Sequence, residues 1–334
     1  MNQGLGLTIA FMGVILIILL TTMAMLTWIE RKVLARMQNR YGPTRTGPFG
    51  LLQPLADGIK LLGKEDFVPA NADRYLFLVA PLFAFATAFI SFAVVPFGLE
   101  RVPLPFTDVK LNLFIADVNI GVLFILAMSG LGVYGIILGG YASGNRYSLL
   151  GGLRAAAQVI SYELILGLAL IGPFMLTGSL SMKAITQWQK DHTWLIFVQA
   201  PAFLLYLIAG IAETNRAPFD LPEAESELVA GFMTEYSGFR YSLYFLGEYV
   251  AMLVISATAA VIFLGGPAGP ILPGPFWMFL KVAGFIFLYI WLRATLPRFR
   301  YDQLMGLAWK LLLPLALVSI FITAIARAWR LGWF

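Results

Sequence analysis

Residues 213–236 read ETNRAPFDLPEAESELVAGFMTEY and stand between long apolar runs. The segment holds six of the chain's eighteen acidic residues, and Arg216 is its only basic residue. Asp220 followed by Glu223 has the spacing of a capping box, which predicts that a helix starts just after Asp220. On that helix Glu223 and Glu227 share a face, where two like charges cost roughly 0.2–0.5 kcal/mol. A segment under selection for folding alone would avoid this arrangement.

The acidic segment allows two interpretations. It is either a solvated loop that keeps the protein soluble or a partly buried cluster of carboxylates. Burial is favoured because the segment also carries apolar side chains, namely Phe219, Leu221, Leu228, Val229, Phe232 and Met233. Buried carboxylates have raised and mutually coupled pKa values, so such a cluster can take up and release protons near neutral pH.

The composition predicts an all-α integral membrane protein, with residues 1–334 forming a single polytopic domain. Of its 334 residues 60% are hydrophobic and 12% are charged, and the mean hydropathy is +0.82. Soluble domains carry about 25% charged residues. Apolar runs of about 20 residues recur, as membrane-spanning helices require. The first run has no basic n-region and no small-residue cleavage signal, so we expect a span and not a signal peptide.

The chain has few residues that bind metals or carry redox groups. It contains no cysteine and a single histidine, His192. Thiolate ligation of an iron–sulfur cluster and paired-histidine ligation of haem are therefore excluded, and no zinc-binding pattern is present. We predict no metal site and no catalytic residue in this chain, so that redox chemistry belongs to a partner or a bound small molecule. The net charge of +5 is interpreted through its distribution and not as nucleic-acid binding.

Eight spans are predicted, at residues 5–28, 75–97, 114–140, 155–177, 194–212, 241–264, 276–296 and 306–328. The odd-numbered connections carry fifteen Lys and Arg residues, against six on the opposite side. By the positive-inside rule the odd connections face the cytoplasm and both termini face outward. The acidic connection, residues 213–240, is then cytoplasmic. We expect a multi-pass protein of the cell inner (cytoplasmic) membrane.

The first connection contains a predicted amphipathic helix within residues 43–66. Its apolar side chains recur at spacings of three and four, with Asp57, Lys60 and Lys64 largely on the other side. The run is too short to span a bilayer, so it either lies in the membrane interface or packs over the other spans.

Two features of the spans bear on function. Gly130–Gly135 reads GLGVYG, a literal dinucleotide-binding pattern, but it sits inside an apolar helix with no preceding strand and is rejected. Gly135 and Gly139 suit close helix packing instead.

Glu163 and Glu248 are placed roughly 10–12 Å into their spans at 1.5 Å per residue, and a charge at such depth is a functional candidate.

Several charge-rich segments together resemble the H subunit of respiratory complex I, the NADH–quinone oxidoreductase, whose mitochondrial form is the first NADH dehydrogenase subunit. They occur in the expected order between residues 30 and 305: ERKVLARMQNRYGPTRTGPFGLLQPLADGIKLLGKED, YSLLGGLRAAAQVISYE, ETNRAPFDLPEAESELVAGF with TEY, GEY, and RATLPRFRYDQLM. The resemblance implies a membrane subunit that joins the hydrophilic arm to the membrane arm, with quinone as substrate. It implies partners in both arms, with the terminal iron–sulfur cluster, the other clusters and FMN held by partner subunits.

The resemblance also assigns roles to individual residues. Quinone entry and binding are implied for Arg36, Asp57, Phe219, Phe232 and Arg293. A proton relay is implied for Glu163, Glu213, Glu223, Glu225, Glu227, Glu235 and Glu248. Some relatives carry a glutamate where this chain has Gly130, so the relay here lacks that branch.

Two alternatives stay open at this point. The chain can belong to a related complex linked to ferredoxin, coenzyme F420 or a hydrogenase. It can also be a self-contained proton or cation transporter that uses the same carboxylates.

Overall fold

A computed structural model describes residues 5–98, 102–103, 110–111, 114–221, 228–270 and 273–330. The described α-helices are α1 Leu5–Met37, α2 Gln53–Gly63, α3 Arg74–Ser91, α4 Gly121–Ala142, α5 Arg146–Thr177, α6 Met182–Asp191, α7 Leu195–Val198, α8 Ala200–Glu213, α9 Gly238–Leu264, α10 Gly274–Thr295, α11 Tyr301–Gly306 and α12 Leu313–Arg330. A π-helical stretch, Leu307–Leu312, joins α11 to α12. Two short antiparallel strands pair, β1 Val102–Pro103 and β2 Lys110–Leu111.

The helix ends follow from local sequence. Asp73 accepts hydrogen bonds from the first backbone N–H groups of α3, and Asn145 does the same for Tyr147 at the start of α5. Short polar side chains at this position satisfy donors that have no partner within the helix. Helix α10 ends two residues before Pro297, which disfavours helical geometry in the residue before it.

The described spans confirm an all-α membrane protein. Among the described residues seven helices are long and apolar enough to cross a membrane, and Ala200–Glu213 is a shorter apolar helix. Helix α1 continues to Met37, well past the predicted end of the first span, so Glu30 lies on a helix and not in a connection. Helix α5 begins at Arg146, nine residues before the predicted start, because Asn145 caps it there.

Helix α9 is the axis around which the bundle packs. Residues 252–263 are all buried, and the helix contacts α3, α8 and α10. The pairs α3–α4, α4–α5 and α5–α8 also pack closely. Helix α2 leaves Leu55, Ile59 and Leu62 exposed, which is the apolar face of the predicted amphipathic helix.

Glycines allow the close approach of α4 to its neighbours, as the four-residue spacing predicts. A Cβ atom at Gly135 would lie 2.7–2.9 Å from atoms of Ala84 on α3, two of them backbone atoms. At Gly139 it would collide with the Tyr244 hydroxyl of α9. Tyr134, which directly precedes Gly135 in sequence, is exposed.

We therefore expect Gly135→Ala to destabilise the protein. The added methyl group has no space against the α3 backbone, and overpacking of this kind costs typically 1–3 kcal/mol. The midpoint of thermal unfolding of the detergent-solubilised protein should fall.

Gly167→Ala on α5 is the matched control, because a Cβ atom there would meet no atom within 4 Å. Alanine is the better helix former by about 1 kcal/mol, so this variant should unfold at the wild-type temperature or above. Equal midpoints for the two variants would contradict tight packing at Gly135.

Candidate functional site

The loop after α8 brings a lone cation into the interior. Helix α8 ends at Glu213, and the loop includes Pro218, which cannot donate a backbone hydrogen bond. The loop is fastened to α5 because Gln158 Nε2 donates to the carbonyl oxygens of Ala212 and Phe219 at 2.8 and 2.7 Å. Arg216 is thereby held inside the bundle, with only 9% of its side chain exposed.

Arg216 belongs to a cluster of paired charges around Glu30. Arg216 Nη1 lies 3.3 Å from Glu30 Oε1, and Nη2 lies 3.8 Å from Glu248 Oε2. Arg293 of α10 donates to the same Oε1 of Glu30. The Tyr249 hydroxyl donates to Glu30 Oε2 at 2.5 Å. The ion pairs therefore form a continuous series, Arg293–Glu30–Arg216–Glu248, from the partly exposed Arg293 to the interior.

The electrostatics of Arg216 follow from its neighbours. Burial by itself would lower the pKa of Arg216, but Glu30, Tyr249 and Glu248 together raise the pKa above its ordinary value. The guanidinium also lies over the Tyr249 ring, 4.3 Å from its centroid. Arg216 is therefore a fixed positive charge, and it holds Glu30 and Glu248 in one arrangement.

A second set of contacts ties the same loop to the connection after α10. Arg298 Nη2 lies 3.3 Å from Asp220 Oδ2. The Phe299 backbone N–H donates to the Pro218 carbonyl oxygen at 3.2 Å, and the rings of Phe219 and Phe299 stack with centroids 5.5 Å apart. The two connections therefore form one packed unit.

A cavity of about 110 Å³ opens beside the charge cluster. Helices α3, α4, α5 and α9 and the end of α8 provide its walls, which are mostly apolar. Its polar lining comprises Thr87, Ser91, Ser129, Glu213, Thr214, Asn215, Tyr244 and Glu248. A volume of this size has room for several water molecules.

Glu163 of α5 and Glu213 of α8 lie on helices that pack together. Ser129 Oγ lies 3.5 Å from Glu163 Oε1, and Ser129 lines the same cavity as Glu213. Glu213 Oε2 is buried and has no hydrogen-bond partner among the described residues. Glu213 and Glu248 therefore line one cavity, and Glu163 lies beside Ser129, which lines the same cavity.

From their positions on the same helix, Gln158 and Tyr162 are expected to support Glu163, but their side chains bind other elements. Gln158 binds the loop after α8, as described above, and the Tyr162 hydroxyl donates to the Leu304 carbonyl oxygen at 3.0 Å. Both residues lie close to Glu163 along α5, but their side chains contact other elements.

The other predicted site residues are placed differently. Glu235 accepts a hydrogen bond of 2.7 Å from Asn145 and is not among the residues that line the cavity. Phe219 and Phe232 are buried, and Phe232 lines the cavity. Asp57 pairs with Arg31 at 2.6 Å. Arg36 is exposed and lies over the ring of Tyr41.

Part of the acidic segment lies outside the described residues. Glu223, Glu225 and Glu227 fall within 222–227, as does most of the helix predicted to start after Asp220. Their roles stay predictions. Over the part of the chain that the structure describes, no group of three or more His, Cys, Asp or Glu side chains is arranged to hold a metal ion.

The sequence did not indicate roles for Glu30, Ser129 and Arg216. Glu30 fell in the first connection because the predicted first span ends at residue 28. The available signal for Arg216 was its isolation, one cation among six acidic residues. A serine inside an apolar helix carries no comparable signal.

The fold and the site together define a polytopic α-helical membrane protein whose interior holds paired and unpaired ionisable groups. Residues 9–324 match the sequence pattern of the NADH dehydrogenase family. The chain is 62% identical to the NADH-quinone oxidoreductase H subunit of Thermomicrobium roseum, over 96% of this chain and 95% of that protein.

Two further relatives carry the same name followed by the number 2. That of Syntrophobacter fumaroxidans is 51% identical over 98% of both chains, and that of Geobacter metallireducens is 51% identical over 93% of both. The chain belongs to the H-subunit family of NADH-quinone oxidoreductase and is a membrane subunit of complex I. This confirms the resemblance found in the sequence.

The charge of Asp220 should make stability depend on pH. Burial raises the pKa of the Asp220 carboxyl, although Arg298, Arg293 and Arg216 oppose the shift. The folded state therefore binds this proton more tightly than the unfolded chain, and the contribution of Asp220 becomes less favourable as pH rises from the ordinary aspartate value of about 3.9. As pH rises from that value to the raised pKa of Asp220 in the folded protein, the thermal midpoint of Asp220→Asn should rise relative to that of wild type.

Asp302→Asn is the control for loss of a carboxylate near the same surface, because Asp302 is exposed and pairs with Arg300 at 3.5 Å. A relative midpoint of Asp220→Asn that stays constant or falls with increasing pH would contradict the direction of the shift.

Proposed function

We propose that this chain forms part of the quinone chamber of complex I and couples quinone reduction to proton translocation through buried glutamates. The observation that carries the proposal is the series Arg293–Glu30–Arg216–Glu248, which ends at the cavity lined by Glu213. It joins a partly exposed cation to a group of carboxylates in the interior.

The first step concerns quinone binding. Arg293 has 41% of its side chain exposed, whereas Glu30, its partner, has 7% exposed. A quinone headgroup near Arg293 can accept a hydrogen bond from the guanidinium. By motif position, Arg36, Asp57, Phe219 and Phe232 are assigned to the entry and the chamber.

The second step is the transfer of a charge change inward. Reduction of quinone alters the charge beside Arg293, and this alters how strongly Arg293 holds Glu30. Glu30 shares its carboxylate with Arg216, so the strength of the Arg216–Glu248 pair changes in turn. Charge coupling of this kind is strong because the pairs lie in a medium of low dielectric constant.

The third step is proton movement. Glu248 and Glu213 line a cavity large enough for water, and Glu163 lies beside Ser129, which lines the same cavity. Water in the cavity can carry protons between carboxylates that are not in direct contact. The relay extends to Glu223, Glu225, Glu227 and Glu235 by motif position. With odd connections in the cytoplasm and both termini outside, the path begins at the cytoplasmic face of the inner membrane, and other complex I subunits receive the protons.

Glu213→Gln should impair coupling and leave the complex assembled. The amide is nearly isosteric with the carboxyl but cannot release a proton. In liposomes containing the purified complex, we expect less acidification of the lumen per quinone reduced.

Glu65→Gln makes the same change at an exposed position and should behave as wild type. If Glu213→Gln translocates protons at the wild-type ratio, Glu213 is not part of the relay. If the purified chain alone carries proton flux in liposomes, the protein is a self-contained transporter.

Arg293→Ala should weaken quinone binding, because it removes a charged donor near the proposed headgroup position. Hydrogen bonds to charged groups contribute about 1.5–3 kcal/mol, so the apparent KM for a soluble quinone should rise about tenfold or more. Arg300→Ala, at an exposed arginine of the neighbouring connection, is the control. Equal KM values for wild type and Arg293→Ala would remove Arg293 from the site.

A further inference from the structure

We propose that the Ser129 hydroxyl is a proton-transfer bridge between Glu163 and Glu213. This inference rests on the proposed function, since it supplies a step within the relay. It assigns a chemical role to a residue of α4 that lies near Glu163 of α5 and lines the same cavity as Glu213 of α8.

The position of Ser129 supports a direct role. Its Oγ atom is 3.5 Å from Glu163 Oε1, at the outer limit of a hydrogen bond. It lines the same cavity as Glu213.

The neighbouring glycine brings Glu163 to this hydroxyl. A Cβ atom at Gly130 would lie 2.8 Å from Glu163 Oε1. Any side chain at position 130 would therefore displace the Glu163 carboxyl from its present place. Because the position is glycine, the carboxyl rests against the α4 backbone and within reach of Ser129.

The hydroxyl has the chemistry that a bridge requires. It carries one donor hydrogen and two acceptor lone pairs, and it rotates about the Cβ–Oγ bond. Its single hydrogen is within donating range of the Leu126 carbonyl oxygen at 3.0 Å and of Glu163 Oε1 at 3.5 Å. When the hydrogen points to Leu126, the lone pairs of the hydroxyl can accept from protonated Glu163. Rotation turns the hydrogen towards Glu213.

The proton transfer conserves atoms and charge. Protonated Glu163 gives its proton to Ser129 Oγ while the serine proton passes to the Glu213 carboxylate. The products are ionised Glu163, protonated Glu213 and an unchanged serine hydroxyl. The reverse transfer uses the same atoms. No oxidant, reductant or other reactant takes part.

The test uses the assembled complex in liposomes, with quinone reduction and lumen acidification measured in H₂O and in D₂O. Ser129→Ala and Ser129→Cys remove the hydroxyl, and the cysteine thiol is only a weak donor. Positioned proton-transfer groups typically contribute 10²–10⁴-fold, so we expect proton translocation to fall about tenfold or more in both variants, with an altered solvent isotope effect. Ser129→Thr keeps a hydroxyl and should retain most of the rate.

Ser242→Ala is the matched control. Ser242 is buried on α9, its hydroxyl donates to the Phe239 carbonyl oxygen of its own helix at 2.5 Å, and it is not among the residues that line the cavity. This variant should show the wild-type rate and isotope effect.

The outcomes separate this inference from the proposed function. Wild-type translocation in Ser129→Ala or Ser129→Cys, with impaired Glu213→Gln, overturns the bridge and leaves the glutamate relay standing. Wild-type translocation in Glu213→Gln as well overturns both. Equal losses in Ser129→Thr and Ser129→Ala would show that packing, and not the hydroxyl, is required.

Discussion

A buried guanidinium stays charged in an apolar bundle only when carboxylates compensate it, and Arg216 depends on this constraint. Breaking a buried ion pair typically costs 3–5 kcal/mol, because the remaining charge is left without a partner. Glu30 on α1 and Glu248 on α9 supply the compensation. The first helix, the central helix and the loop after α8 are therefore held together by charge as well as by apolar packing.

Close packing determines which carboxylates can meet. Apolar side chains on α4 would separate it from α3, α5 and α9, but Gly130, Gly135 and Gly139 let these helices approach. At Gly130 the same close approach lets the Glu163 carboxyl lie against α4, beside the Ser129 side chain that lines the cavity. The glycines of α4 thus determine both how closely the helices pack and where the Glu163 carboxyl lies.

The sequence predicted the helical architecture well, because apolar runs and local caps determine where spans lie. It also placed Glu163 and Glu248 within their spans, since rise per residue converts position into distance. It did not reveal that Glu30 reaches Arg216, which is 186 residues away in the chain. Such pairs depend on how helices rotate about their axes, and periodicity within one helix does not contain that information. The partners of Gln158 and Tyr162 were missed for the same reason.

The packed unit formed by the connections after α8 and α10 has a mechanical consequence. Asp220, Pro218 and Phe219 are joined to Arg298 and Phe299 by an ion pair, a backbone hydrogen bond and stacked rings. Movement of either connection alone would strain these three contacts. We therefore expect the two connections to move together, and the second of them leads through α11 into the π-helical stretch of the last span.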